Sequence, residues 1–330
     1  MNVIMIIPTG IGCEIGGHNG DATPMARLLG SVCDKLIIHP NVVNASDINE
    51  MPSNALYVDG AMLDNFLNGV INLKEVRQNK ILVAVNKPVK HEIVNAVSAA
   101  RATLGIDAEI IELDTELNML ALKNEDGSAG GSWAGVDELG KQIRDLEFDA
   151  LAITTYIDCS DDVVLDYFRN GGVNPWGAIE AIVSRAISKW IGKPVAHSPT
   201  ERENPLKFNE VVDPRIAAEM LSDTYLFSVL KGLHKAPRPV VGNGLHIHDI
   251  DFVVMPYGCR GVPQIACETK GIPVIVVKEN TTIYDYPPVE SDIVVESYLE
   301  AAGVIAAARE GISLGALRRP LAATNILNTG

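Results

Sequence analysis

A glycine-rich loop that follows the apolar stretch at residues 2–7 carries several reactive side chains. Its glycines, reactive groups and other polar residues are Gly10, Gly12, Gly16, Gly17 and Gly20, then Cys13, Glu14, His18 and Asp21, then Thr9 and Asn19. Glycine permits positive φ and lets a backbone approach a ligand closely. We therefore expect the loop amides, together with Thr9 and Asn19, to bind an anion or carboxylate. Cys13, His18 and Asp21 are candidate catalytic groups, and the alternative is a tight turn whose glycines serve packing alone.

The glycine spacing differs from the common nucleotide-binding motifs. Gly12-x-x-x-Gly16-Gly17 does not match the Gly-x-Gly-x-x-Gly fingerprint, and the chain has no Gly-Lys-Ser/Thr phosphate loop. The sequence therefore indicates no nucleotide cofactor.

A second reactive segment, residues 257–261, lies between a predicted strand and a predicted helix. Cys259 is its candidate catalytic residue, because the positive end of a helix lowers the pKa of a thiol and makes it a better nucleophile or base. Gly258 and Arg260 are candidate ligand-binding residues, since a guanidinium can hold a carboxylate or phosphate through two hydrogen bonds.

A third segment, residues 154–159, follows another predicted strand and ends in a thiol. Thr154 and Thr155 are candidate ligand-binding residues, and Cys159 is a candidate catalytic residue. For each thiol in the chain the alternative is a small, buried, apolar side chain.

A candidate metal site precedes the strand predicted at residues 251–256. His246 and His248 share a face if this segment is extended, and Asp251 adds a carboxylate. These ligand types suit zinc, iron or manganese, so the predicted cofactor is either one divalent metal or none. The alternative is a polar loop before a buried strand. Further candidates at strand ends are His39, Asp59, His197, Glu201 and Arg202.

Short apolar runs alternate with helical patterns from end to end, which is typical of βαβ units. Strands are predicted at 2–7, 35–38, 55–58, 81–86, 108–113, 149–155, 194–196, 251–256 and 273–278. Helices are predicted at 23–33, 60–69, 89–104, 135–146, 175–191, 213–234, 261–270 and 295–310. The polar stretch 123–135 is predicted to be a flexible linker or a mobile loop.

The predicted fold class is α/β, with two Rossmann-like domains of mostly parallel sheets that face a cleft. One domain comprises residues 1–78 and 175–330, and the other comprises residues 79–174. A simple division near residue 150 is the alternative.

Composition restricts the partners. The net charge of −15 would repel phosphate backbones, and 5% aromatic residues leave little for stacking, so nucleic acid is not an expected partner. No stretch approaches the roughly 18 apolar residues of a membrane span. Five scattered cysteines and an N-terminus that begins directly with a strand predict a cytoplasmic protein. The helix predicted at 295–310 could form a homo-oligomer interface, although core packing is the favoured role.

Residues 8–12 (Pro-Thr-Gly-Ile-Gly), 20–24 (Gly-Asp-Ala-Thr-Pro), 39–41 (His-Pro-Asn) and 271–275 (Gly-Ile-Pro-Val-Ile) resemble a bacterial protein family of unknown function. The chain also has a fainter likeness to the aspartate/glutamate racemase superfamily. That likeness implies two α/β domains and two thiols, here Cys159 and Cys259, that exchange a proton at an amino acid α-carbon. Cys159 is not followed by Asn-Thr, and Arg260 replaces the threonine that follows the second thiol in that superfamily.

Three functional hypotheses remain open. The first is an enzyme, isomerase-like or racemase-like, that acts on a small polar or carboxylate metabolite through Cys259 with His18 or Asp21 opposite. The second is a metal-assisted hydrolase or lyase at His246, His248 and Asp251. The third is a non-catalytic protein that closes two lobes on a metabolite.

Overall fold

The computed structural model of the protein describes residues 1–18, 20–43, 48–200, 211–218, 225–324 and 326. Its strands are β1 (Asn2–Met5), β2 (Lys35–Ile38), β3 (Ala55–Tyr57), β4 (Asn72–Lys74), β5 (Lys80–Asn86), β6 (Asp107–Leu113), β7 (Asn118–Lys123), β8 (Ala129–Ala134), β9 (Ala150–Asp158), β10 (Val195–Thr200), β11 (Arg238–Val240), β12 (Phe252–Pro256), β13 (Val274–Val277) and β14 (Ile293–Val295). Its helices are α1 (Thr23–Gly30), α2 (Gly60–Leu67), α3 (His91–Leu104), α4 (Val136–Ile143), α5 (Asp161–Asn170), α6 (Pro175–Ile191), α7 (Tyr225–His234), α8 (Val262–Lys270), α9 (Tyr298–Arg309) and α10 (Leu314–Leu317).

The first sheet has six strands in the order β14-β13-β12-β1-β2-β3, and every pair is parallel. Successive residues of β1 face opposite sides of this sheet, as strand geometry requires. Val3 and Met5 pack in the core that includes α1 and α9, whereas Ile4 packs in the core that includes α2 and α8. We call this sheet and these four helices the first lobe.

The second sheet pairs β6, β5, β9 and β10 in parallel, and the β7-β8 hairpin joins it at the carboxyl end of β9. Helices α3 and α7 cover one face, and α4 and α6 cover the other. We call this sheet with α3 to α7 the second lobe. The core that contains Val3 also contains Ile81 and Val83 of β5, so hydrophobic packing continues from one lobe into the other.

The structure confirms the predicted α/β class with mostly parallel sheets. Two local predictions differ from the structure. In the helix predicted at 213–234, residues 213–216 are not helical, residues 219–224 lie outside the described residues, and Tyr225–His234 form α7. The polar stretch 123–135 is not a linker, because its residues 129–134 form β8 of the hairpin. Gly131 lies on this strand where the α6 side chain Ile179 approaches, and a Cβ there would be 2.8 Å from that side chain. The domain boundaries stay a prediction, although residues 175–200 supply α6 and β10 to the second lobe.

Local sequence explains how two helices beside the interlobe cleft begin. The Asp59 carboxylate accepts hydrogen bonds from the amides of Ala61 and Met62, which caps α2. The side chain of Asn174 accepts from Trp176 and Gly177 at the start of α6, where Pro175 needs no hydrogen-bond acceptor.

The glycine-rich loop packs tightly between the lobes. Gly10 has a φ of +80°, and its carbonyl oxygen accepts a hydrogen bond of 2.9 Å from the Ala129 amide of β8. A Cβ on Gly10 would lie 2.7 Å from Cβ of Ala178 on α6. The absence of a side chain at Gly10 therefore lets the first lobe approach the second lobe closely.

We predict that Gly10→Ala destabilises the protein by about 2–4 kcal/mol, because left-handed backbone strain adds to overpacking. Gly127→Ala is the matched control, since Gly127 has a similar φ of +85° and a Cβ there would meet nothing within 4 Å. Gly127→Ala should lower the free energy of unfolding by only about 1 kcal/mol. Urea denaturation of the two variants measures both values, and equal losses would show that contact with α6 is not the constraint.

Candidate functional site

A cavity of about 610 Å³ lies between the two lobes. The first lobe contributes the carboxyl ends of β1, β2, β3 and β12, and the second lobe contributes α6, β10 and α7. The volume falls within the range of roughly 300–1,000 Å³ that is usual for small-molecule sites. Parallel strands place their carboxyl ends at one edge of a sheet, which explains why residues distant in sequence meet here.

His197 on β10 lines the cavity and is only 8% exposed. Its Nε2 lies 2.9 Å from the hydroxyl oxygen of Thr155 on the neighbouring strand β9. Its Nδ1 is buried and has no hydrogen-bond partner among the described residues. Burial lowers the pKa of His197 to about 3, so the ring is neutral at physiological pH.

His39 lines the same cavity from the end of β2, and its ring is engaged by the backbone. Its Nδ1 accepts a hydrogen bond of 3.3 Å from the Asn41 amide, and the ring also hydrogen-bonds with the backbone of Ile7. Burial lowers the pKa of His39 to about 4, and the nearby Arg185 guanidinium contributes to the same shift. His39 therefore contributes a neutral ring that holds the ends of β1 and β2 together.

Asp59 is buried at the end of β3 and connects the lobes. Besides capping α2, its carboxylate accepts a hydrogen bond of 3.3 Å from the Val195 amide of β10. Burial raises the pKa of Asp59 to about 6, and its hydrogen bonds with the amides of Met62, Val195 and Ala61 oppose the rise. The carboxylate is thus occupied by backbone groups of both lobes.

Two arginines bring positive charge to the cavity. Arg185 of α6 forms an ion pair with Asp64 of α2, which is a second connection between the lobes. Arg260 forms an ion pair of 3.0 Å with Glu268 through one guanidinium nitrogen. A guanidinium has five N–H donors, so each arginine retains donors for a ligand.

Cys259 lines the cavity, but its thiol is not activated as the sequence predicted. Its Sγ donates a hydrogen bond of 3.1 Å to the carbonyl oxygen of Pro256. Burial raises the pKa of Cys259 to about 12, because the loss of thiolate hydration outweighs the opposing effect of a hydrogen bond with the Cys259 backbone. Burial also raises the pKa of Cys13, which lies near Cys259, and the Cys13 thiol bonds to the Pro8 carbonyl.

The segment 154–159 lies behind the cavity wall rather than in it. Cys159 is buried in the core between the second sheet and α4 and α6. Thr154 pairs with Thr200 through their hydroxyl groups, 3.4 Å apart, and Thr155 holds His197. The geometry therefore makes Thr155 a positioning residue and gives no support to two thiols that face each other across the cleft.

Of the predicted ligand-binding residues in the glycine-rich loop, Thr9 lines the cavity. The residues that do not line it are Gly10, Gly12, Gly16, Gly17 and Gly20, together with the candidate catalytic residues Cys13, His18 and Asp21. A Cβ on Gly12 would lie 2.9 Å from the Val173 side chain, and the Gly16 amide donates to Asp21 over 2.7 Å. These glycines therefore serve close packing, and the anion cradle predicted there has no support in the geometry.

His18 belongs to a separate buried cluster. Its Nδ1 lies 2.7 Å from the Tyr167 hydroxyl oxygen, and burial lowers the pKa of His18 to about 4, with a smaller contribution from the Arg215 charge. Gly258, with a φ of +82°, packs against the Tyr284 carbonyl and does not line the cavity. Asn19, Glu201 and Arg202 lie outside the described residues.

The candidate metal ligands lie at the amino end of β12, on the edge of the sheet opposite the cavity. The Nδ1 of His246 accepts a hydrogen bond from the His248 amide, and the two rings stack 4.8 Å apart. The Asp251 carboxylate accepts a hydrogen bond of 2.6 Å from the Asn2 amide. Among the described residues, no group of three or more His, Cys, Asp or Glu could hold a metal ion. The geometry of these residues is that of turn capping.

Sequence reasoning missed the polar cavity residues that lie on helices. They are Asp64, Glu180, Ser184, Arg185 and Ser228. The sequence could have indicated Asp64, because a carboxylate on the buried face of the apolar helix α2 requires a partner. The sequence could not have indicated Arg185, since an arginine on a helix is usually exposed to solvent.

A model of the family described as "Protein of unknown function (DUF3326)" matches residues 2–318, so the chain belongs to this family. A relative from Synechococcus sp. is 34% identical over 333 residues, which cover 95% of this chain and 92% of the relative. That relative is named an uncharacterized lipoprotein. The predicted resemblance to a bacterial family of unknown function is confirmed, whereas neither comparison supports the likeness to racemases.

The name of this relative contradicts the prediction that the chain is cytoplasmic. That prediction depended on scattered cysteines and on an early first strand. Few cysteines argue against a disulfide framework, but they do not specify where a protein resides. In the part of the chain that the structure describes, no helix combines the length and the apolarity needed to span a membrane.

We predict that iodoacetamide alkylates Cys259 in the folded protein at least a hundredfold more slowly than in the chain unfolded by guanidinium. A pKa of about 12 in place of 9.0 lowers the thiolate fraction near neutral pH about a thousandfold. Mass spectrometry of tryptic peptides gives both rates. Alkylation of Cys259 at the unfolded rate would instead restore thiol chemistry as a hypothesis.

We predict that stability falls as the pH drops below 6.5, the ordinary pKa of the imidazole. The folded protein keeps His197, His39 and His18 neutral down to pH values of about 3, 4 and 4, whereas the unfolded chain protonates them near pH 6.5. Asp59 affects stability in the opposite direction, because its pKa of about 6 in the folded protein exceeds the ordinary aspartate pKa of 3.8. Protonation of this carboxyl therefore favours the folded protein as the pH falls. Three imidazoles against one carboxyl leave a net difference of two protons, which gives a loss of about 2.7 kcal/mol per pH unit around pH 5 in urea denaturation.

His39→Gln provides the control for this pH dependence, because it removes one of the three imidazoles. The variant should lower the slope by about 1.4 kcal/mol per pH unit, which corresponds to one proton. An unchanged slope would mean that His39 is not held neutral in the folded protein.

Proposed function

We propose that this member of a family without an assigned function binds a small polar metabolite in the interlobe cavity and acts on it as an enzyme. In this proposal, His197 exchanges a proton with the bound metabolite through Nδ1. The observation that carries the proposal is the buried and unpartnered Nδ1 of a histidine in the cavity wall.

An unpartnered polar atom in a protein interior is costly. It forfeits about 1–3 kcal/mol relative to a hydrogen-bonded one, and most buried polar groups in folded proteins do have partners. Nδ1 of His197 is shielded from water in the ligand-free protein, so a ligand in the cavity supplies the missing partner by displacing the side chains that cover this atom. This reasoning favours a ligand with a hydroxyl, carbonyl or carboxyl group.

The surroundings of His197 fix the orientation of its ring. Thr155 holds Nε2, which fixes the ring and leaves Nδ1 for the ligand. The threonine hydroxyl can donate or accept a hydrogen bond, so either tautomer of the ring is compatible with this contact. The pKa of about 3 describes the ring without a ligand, and a developing negative charge on a substrate would raise it.

Thiol-based proton transfer, the leading sequence hypothesis, is less well supported than transfer by His197. The Cys259 thiol has a pKa of about 12 and is engaged by a carbonyl. The neutral imidazole needs no such activation, because its unprotonated form predominates at physiological pH.

We predict that His197→Gln lowers turnover by a hundredfold or more, the usual contribution of a general acid–base group being about 10²–10⁴. The glutamine keeps a polar group near Thr155 and removes the ring nitrogen offered to the ligand. The measurement is hydrogen–deuterium exchange into a panel of 2-hydroxy acids, 2-oxo acids and amino acids, followed by NMR. Binding of the same compounds is followed by thermal shift.

Thr155→Val and Thr155→Ser form the matched pair for the positioning role. Loss of the hydroxyl in the valine variant should lower the turnover number by about tenfold with little change in KM, and the serine variant should restore it. If His197→Gln binds and converts the same compounds as efficiently as the wild type, the proposed role of His197 is wrong. If a compound binds but never exchanges or changes, the protein is a binding protein rather than an enzyme.

A further inference from the structure

We propose that the ligand of the interlobe cavity carries an oxyanion, a carboxylate or a phosphate, which is bound by the first turn of α8 and by Arg260. This inference rests on the proposed function, because it concerns the same cavity and names the chemical class of its ligand.

The strand order of the first sheet indicates where an anion should bind. From β1 the chain builds outward through β2 and β3 on one side, and later from β12 through β13 and β14 on the other. The order therefore reverses between β1 and β12, and open α/β sheets bind ligands outside the carboxyl ends of the strands at such a point. The turn after β12 leads directly into α8.

The beginning of α8 is exposed to the cavity and lacks a side-chain cap. Its N-cap is Gly261, and no side chain among the described residues accepts from the Val262 or Gln264 amide, while Pro263 has no N–H to offer. Gly261, Val262 and Pro263 all line the cavity. By contrast, α2 and α6 also begin beside the cavity and are capped by the side chains of Asp59 and Asn174. The uncapped N–H groups and the helix dipole together favour a negative group at this position.

Two further features of the cavity wall point to a ligand there. The first is Nδ1 of His197 in the wall of the same cavity, which is buried and has no partner among the described residues, so a ligand that displaces its covering side chains can hydrogen-bond with it. The second is Arg260, directly before the N-cap, whose ion pair with Glu268 uses one of its nitrogens. Its remaining N–H groups can hold an oxyanion beside the helix end.

The carboxylates of the cavity wall do not fill this position. Asp59 is occupied by the amides of α2 and β10, and Asp64 by Arg185. Glu180 lies on α6 of the second lobe and has an interaction of its own. Within the part of the chain that the structure describes, the carboxylate bonded to Arg260 is that of Glu268, which lies within the body of α8 rather than at its first turn.

Gly261→Asp is a decisive variant, because it would place the protein's own carboxylate on the helix end. Gly261 has extended backbone with a φ of −164°, which any residue adopts, and a Cβ there would meet only Pro263, at 3.8 Å. Aspartate is a preferred N-cap, so this variant should melt a few degrees higher than the wild type. Gly261→Ala is the matched control, since it adds a Cβ without a cap.

The probes are inorganic phosphate and two matched pairs, succinate with succinamide and acetate with acetamide. Thermal shift and isothermal titration of the full chain measure their binding. We expect at least one anion to bind the wild type and Gly261→Ala, and its affinity to fall tenfold or more in Gly261→Asp and in Arg260→Gln. The neutral amides should bind at least tenfold more weakly than the acids. Comparison of phosphate with the carboxylates identifies which oxyanion the site prefers.

The inference is overturned if the amides bind as well as the acids, if Gly261→Asp leaves anion affinity unchanged, or if no anion binds the wild type. These failures are separate from failure of the proposed function. If the wild type converts an uncharged metabolite and His197→Gln does not, the role of His197 stands and the proposed anion site is wrong. If an anion no longer binds Gly261→Asp but is converted by His197→Gln as fast as by the wild type, the anion site stands and the proposed role of His197 is wrong.

Discussion

The parallel pairing of β1 with β12 joins the first strand of the chain to the later half of the first lobe, since Val3 pairs with Phe252 and Met5 with Val254. The whole second lobe lies between these strands in sequence. Because the strands are parallel neighbours, the turn before α8 lies beside the start of the glycine-rich loop. The proximity of Cys13 to Cys259, which shows in the raised pKa of Cys13, reflects this arrangement. The cavity exists because this pairing sets the carboxyl edge of the first sheet against the second lobe.

The lobes are connected on several sides of the cavity by different kinds of contact. Asp59 binds the Val195 amide, Asp64 pairs with Arg185, and the hydroxyl of Tyr284 donates to the Asp126 carboxylate over 2.8 Å. The backbone of Gly10 adds a fourth connection to β8. These polar contacts surround the cavity. The two lobes also share one hydrophobic core, and they still leave a cavity between them that can hold a ligand.

Burial decides which protonation state each reactive side chain of this site adopts. Removal from water disfavours the charged form of any side chain, so it keeps both thiols and imidazoles neutral. A neutral thiol is a poor nucleophile, whereas a neutral imidazole still has a lone pair to accept a proton. The same physical effect therefore removes the thiolate form of Cys259, and it leaves His197 with a lone pair while it weakens the basicity of the ring. It also explains why the glycine-rich loop, although rich in reactive groups, contributes mainly to packing.

The sequence by itself determined the α/β class and most of the strands and helices, because period-two and helical apolar patterns are local properties. It also placed His39, Asp59, His197, Cys259 and Arg260 at strand ends, which the fold brings to one cavity. It did not reveal β8, whose glycines have weak strand propensity and which exists through pairing with β7 and packing under α6. Only the tertiary structure decided that His18 and the loop glycines are packed away from the cavity while Arg185 and Asp64 face it. Exposure and pairing depend on segments far apart in the chain, and a local pattern cannot specify them.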